Sequence, residues 1–130
     1  MYTATTRAIC VTVQPRYLPE QSDPRKSQYV WAYQVRIENR GDVAVQLRSR
    51  HWKITDALGR MKEVKGQGVI GQTPRLNPGE VFEYTSGTPL TTPSGFMGGT
   101  YQMVSETGEA FDIEIPTFSL DIPGGARRLN

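Results

Sequence analysis

Nine prolines set the first limit on what this chain can fold into. They stand at positions 15, 19, 24, 74, 78, 89, 93, 116 and 123. Proline lacks an amide donor and clashes inside a helix, so a long helix fits only within residues 25–73. A different pattern occupies that window. Tyr29, Trp31, Tyr33, Val35 and Ile37 alternate with Val30, Ala32, Gln34, Arg36 and Glu38. The first set is apolar throughout and the second turns increasingly polar. This period of two, rich in aromatic and β-branched side chains, predicts a strand with one buried face. Asn39-Arg40-Gly41-Asp42 ends it as a turn.

The alternation recurs along the chain. Ile9, Val11 and Val13 enclose Cys10 and Thr12, and Val43, Val45 and Leu47 enclose Ala44 and Gln46. The register then slips, because Trp52 and Ile54 sit at even positions, which predicts a bulge or bend near residues 49–51. Asp56-Ala57-Leu58-Gly59 reads as a hairpin turn into a strand over 60–65. Asn77-Pro78-Gly79-Glu80 leads into a strand over 81–86, since proline presets φ and glycine accepts φ > 0. Tyr101 and Met103 alternate with polar neighbours. Glu106-Thr107-Gly108-Glu109 precedes Phe111, Ile113 and Ile115, and Phe118 and Leu120 continue that strand past Pro116. About seven short strands and no helical period predict an all-β fold, a β-sandwich of two antiparallel sheets. A small closed barrel is the alternative. Loops are expected over 14–27, 65–76 and 87–99. Residues 1–125 read as a single domain with a flexible tail at 126–130.

Composition narrows the function classes. The longest apolar run is five residues, 29–33, against roughly 20 for a membrane-spanning helix, so no membrane insertion is expected. No secretory signal is visible, and a cytoplasmic location is expected. The lone Cys10 allows neither an intrachain disulfide nor a cysteine-based zinc cluster. Net charge is +2. It is distributed unevenly: residues 1–75 carry 13 of the 15 Lys/Arg and 6 of the 13 Asp/Glu. Because these cations form no single run, the pattern reads as mixed surface, and nucleic acid is not an expected partner.

Six features are candidates for chemistry or binding. Gly66-Gln67-Gly68-Val69-Ile70-Gly71 matches G-x-G-x-x-G, whose glycines let a backbone approach a pyrophosphate seated on a helix N-terminus. Pro74 follows too soon for that helix. Gly66, Gly68 and Gly71 therefore read as architecture, supplying positive φ or close backbone approach. A nucleotide site there, with Lys65, is the alternative. His51 has no partner at metal-ligand spacing and reads as structural or surface, and Cys10 as a small apolar side chain. Asp112 and Glu114 share a strand face, either as a solvated surface or as a pair able to hold a divalent cation. Arg48, Arg50, Lys53 and Trp52 form a basic and aromatic cluster, suited to stacking on a nucleic acid strand or to guarding a sheet edge. Leu90, Phe96 and Met97 either form an exposed protein-contact patch or close one end of the sandwich.

The run GQGVIGQTPRLNPGEVFEYTSGTPLTTPSGFMGGTYQMV, residues 66–104, resembles the signature of the ApaG domain family. So do SRHWKITDALGR, residues 49–60, and the strand bearing Val35-Arg36-Ile37-Glu38-Asn39. The likeness spans about residues 2–125, departs conservatively at Ile70, and leaves out the tail after Pro123. It implies an immunoglobulin-like, fibronectin type III-like sandwich without an established enzymatic activity, and a protein-interaction role in related eukaryotic domains. It also implies a link to cobalt tolerance and magnesium efflux in bacteria. The family defines no catalytic residue to carry over. The combined expectation is a non-enzymatic binding module for a protein partner, with no cofactor.

Overall fold

Each alternating segment becomes a strand in the computed structural model, which describes residues 1–123. The expected flexible tail, 126–130, lies outside the described residues. In chain order the strands are β1 (Tyr2–Thr6), β2 (Ile9–Tyr17), β3 (Tyr29–Asn39), β4 (Val45–Asp56), β5 (Met61–Gln67), β6 (Arg75–Leu76), β7 (Val81–Leu90), β8 (Gly95–Ser105) and β9 (Ala110–Leu120). Two short 3-10 turns, Pro19–Gln21 and Pro24–Lys26, bridge β2 to β3. Hydrogen bonding orders the strands into two antiparallel sheets, β1-β2-β3-β7 and β5-β4-β8-β9, with β6 extending the second sheet beside β4. The sheets face each other across one apolar core, so the sandwich forms and the barrel does not.

The strands are longer than their punctuation suggested, and among the described residues nine form where about seven were expected. Much of 14–17 and 87–99 is strand, because each proline there sits where no ladder donor is lost. Pro15 lies beyond the end of β1, whose pairing with β2 stops at Val13. Pro89 lies on β7, an edge strand. Pro116 falls within the β8–β9 irregularity, where Met97 pairs with Phe118 and Gly99 with Ile115. Edges and bulges are where sheets accept proline. Similarly, 65–67 belongs to β5 and 75–76 to β6. The slip in β4 falls between Leu47 and Ser49, slightly before the expected 49–51, and Arg48 is the extra residue.

Trp31, Tyr33, Val35 and Ile37 of β3 face Leu47, Trp52, Tyr101, Ile113 and Phe118 of the other sheet in the buried core. Trp52 meets Phe118 and Tyr101 edge-on, with ring centroids 6.0 and 6.3 Å apart, a geometry that suits aromatic quadrupoles. Between the sheets, the hydroxyls of Tyr84 and Tyr101 hydrogen-bond at 2.5 Å. Burial pushes both phenols up from their ordinary range. A phenol raised by folding keeps its proton after the unfolded chain has lost it near pH 10. Stability is therefore intact below about pH 10 and falls above it. Two such groups together give a slope of about 3 kcal/mol per pH unit. Urea unfolding followed across the alkaline range should show this slope, and Tyr84→Phe should make it shallower. A flat profile would refute the buried pair.

Candidate functional site

Each glycine of the G-x-G-x-x-G match has a geometric task. Gly66 lies opposite Arg50 in the β4–β5 ladder. A Cβ at Gly66 would stand 2.9 Å from the Arg50 guanidinium, so its absence lets that group lie against the strand. There Arg50 Nη1 donates to the carbonyls of Gln67 at 3.0 Å and Gly68 at 2.7 Å. Gly68 takes φ +63°, and a Cβ there would come within 2.3 Å of the Gln72 carbonyl oxygen. Ile70 and Gly71, at φ 43° and 77°, centre a two-residue turn closed by reciprocal 2.8 Å bonds between Val69 and Gln72. The chain then continues into β6, with no helix opening after Gly71. This hairpin differs from the strand–turn–helix that seats a pyrophosphate. Lys65 is exposed on β5.

The titratable candidates scatter. Asp112 and Glu114 are exposed on β9, opposite Gln102 and Thr100 of β8. Among the described residues no three His, Cys, Asp or Glu group as metal ligands. His51 Nε2 lies 2.6 Å from Glu63 Oε1 across the β4–β5 ladder. The hydrogen bond from His51 holds the Glu63 carboxyl below its usual range. Cys10 is buried, 2% exposed.

Two proposed surface groupings come apart. The basic and aromatic cluster is split by the bulge at Arg48. The extra residue turns the even positions of β4 inward, so Trp52 is core, 3% exposed, and offers no ring for stacking. Arg50 points to the same side and is engaged with the glycine turn, while Arg48 and Lys53 remain exposed. The Leu90, Phe96 and Met97 patch is split as well. Consecutive strand residues face opposite sides, so Met97 is core, 1% exposed, and Phe96 points out at 48%. Leu90 is half-buried at the end of β7.

Phe96 has a neighbour that its sequence position concealed. Thr55 pairs with both Phe96 and Met61, so the two apolar side chains flank it on the outer face of the second sheet. Met61 is 54% exposed. Beside them lies a depression of about 510 Å³ bordered by His51, Lys53, Gly98, Gly99 and Glu114. Gly98-Gly99 was the available signal in the sequence. A Cβ at Gly99 would stand 1.9 Å from the His51 carbonyl oxygen, so the adjacent strands approach closely there and carry no side chain to fill the surface. The arrangement offers apolar area edged by Lys53, the His51 imidazole and the Glu114 carboxylate.

Comparison with known proteins agrees with this fold. Residues 19–105 match the family model described as the ApaG domain. Proteins called ApaG from Rhodospirillum centenum and Bradyrhizobium diazoefficiens are 62% and 61% identical over 130 residues, covering 100% of each chain. A crystal structure of the Bordetella pertussis protein called ApaA superimposes with a TM-score of 0.87 at 56% identity, covering 88% of this chain and 94% of that one. Matches of this extent and identity show that the chain belongs to the ApaG domain family.

Proposed function

We propose that this chain is a non-enzymatic protein-interaction module that meets a protein partner through the outer face of the β5-β4-β8-β9 sheet. The observation that carries this reading is the pair Phe96 and Met61, both about half exposed on either side of Thr55. Aromatic and methionine side chains are enriched where proteins dock, and an exposed apolar group edged by polar residues marks such surfaces. Lys53 and the exposed Arg48 of the same strand add cations to it. We place the protein in the cytoplasm, where a lone thiol such as Cys10 stays reduced. Any bearing on cobalt tolerance or magnesium efflux then runs through the partner.

A photo-crosslinking residue placed at Phe96 tests the reading in cell extract. The expected result is a discrete protein adduct that Met61→Asp abolishes while stability changes by no more than about 0.5 kcal/mol, as for an ordinary surface substitution. A probe at exposed Glu20 on the far side supplies the background. Adducts no stronger than that background, or bound nucleotide without any protein, would overturn the proposal.

A further inference from the structure

The two long sides of the sandwich are unlike. On one side the edge strands β1 and β9 pack together: the Glu114 amide donates to Thr6 Oγ1 at 3.1 Å, and the Tyr2 and Phe118 rings lie 6.1 Å apart. On the other side the edges are β5 and β7, and no hydrogen-bonded pairing joins them. Between them lies a cleft of about 360 Å³, bordered by Ile54, Met61, Lys62, Pro89 and Leu90.

These two edges differ in their defences. Edge strands invite pairing with another chain unless charge, proline or a bulge intervenes. β5 carries Lys62, Glu63 and Lys65 within seven residues. β7 has ten residues, and its only charged side chain is Glu83. Its single proline, Pro89, stands next to the last position, leaving 81–88 able to pair. Facing this bare edge, Lys62 borders the cleft and enters none of the ion pairs among the described residues, whereas Lys65 lies opposite His51 on the other face and Glu63 is engaged by His51. Arg60 is held by Asp56 at 2.8 Å. The cleft thus combines an unpaired strand edge, an apolar floor and one cation, Lys62, that enters no ion pair among the described residues.

We propose that the β5–β7 seam receives an extended acidic segment of a partner protein. The segment adds to β7 as a strand, sets an apolar side chain over Ile54 and Leu90, and presents a carboxylate to Lys62. In strand addition the main-chain bonds supply affinity and alternate side chains supply specificity. This inference rests on the interaction-module reading but names a different surface from the Phe96 face.

Isotope-labelled protein titrated with a short capped peptide alternating glutamate and valine tests it by amide chemical shifts. The expected result is perturbation along 83–88 and 61–64, weakened at least about tenfold by the charge reversal Lys62→Glu, roughly 1.4 kcal/mol. A matched lysine–valine peptide should leave those amides in place. Unmoved amides at millimolar acidic peptide, or equal response to both peptides, would overturn the seam. Shifts confined to Phe96 and Thr100 would also overturn it while leaving the module intact. Lys62 is exposed, so the variant is expected to fold, and an unchanged spectrum elsewhere verifies that.

Discussion

Trp52→Ala is expected to lower the free energy of unfolding by about 3–5 kcal/mol, the usual loss when a large buried aromatic is truncated. That is a large fraction of the roughly 5–15 kcal/mol available to a domain. The indole is 3% exposed and packs against Tyr33, Tyr101 and Phe118, joining both sheets at one point. Removing it opens a cavity that three rigid rings cannot collapse to fill. Urea unfolding beside Phe96→Ala gives the contrast, because Phe96 projects from the same sheet to the opposite side. A Trp52 variant losing less than about 0.5 kcal/mol, the range of ordinary surface substitutions, would return this residue to the surface.

Gly99→Ala should be nearly as damaging, by another route. Its new methyl would meet the His51 carbonyl oxygen at 1.9 Å and the Trp52 Cα at 3.1 Å. Both belong to the backbone of β4, so relief requires two central strands to separate. Overpacking of this kind costs about 3 kcal/mol or more, which lowers the melting temperature by roughly 10 °C. Gly98→Ala is the internal control. Its methyl would first meet Thr117 Oγ1 at 2.7 Å, and a threonine side chain can rotate. Equal melting temperatures for the two variants would contradict the close approach at Gly99.

How legible the fold was depended on where its information is stored. Strands β3 and β9 were readable because their buried faces are written as alternating side chains, Trp31 to Ile37 and Phe111 to Ile115. β1 went unread: Tyr2–Thr6 has no strong apolar face, and the turn after it is made by Arg7 and Ala8 at φ 49° and 65° rather than by glycine. The inward turn of Trp52 depends on the bulge at Arg48, a relation between strands that sequence spacing only hinted at. Asn39 read as the start of a turn. It is fully buried, its amide donating to the carbonyls of Val43 and Leu76 while its oxygen accepts from Gly41. The bonds to Gly41 and Val43 belong to that local turn, whereas the bond to Leu76 joins a residue distant in sequence and has no local signature. The Phe96–Met61 pair was hidden for the same reason, since only the shared neighbour Thr55 brings them together. The glycine run was the opposite case, a match whose spacing was visible while the flanking proline already argued for a turn.

The contact between Tyr2 and Phe118 fixes where this domain can be attached to anything else. The first strand and the last described strand run side by side along one flank, so polypeptide joined to either would depart from that flank. Among the described residues no strand pairs with the outer edges of β5 and β7, at the far ends of both sheets. A domain wired in this way can be carried as a cassette, tethered along one margin and open along the other.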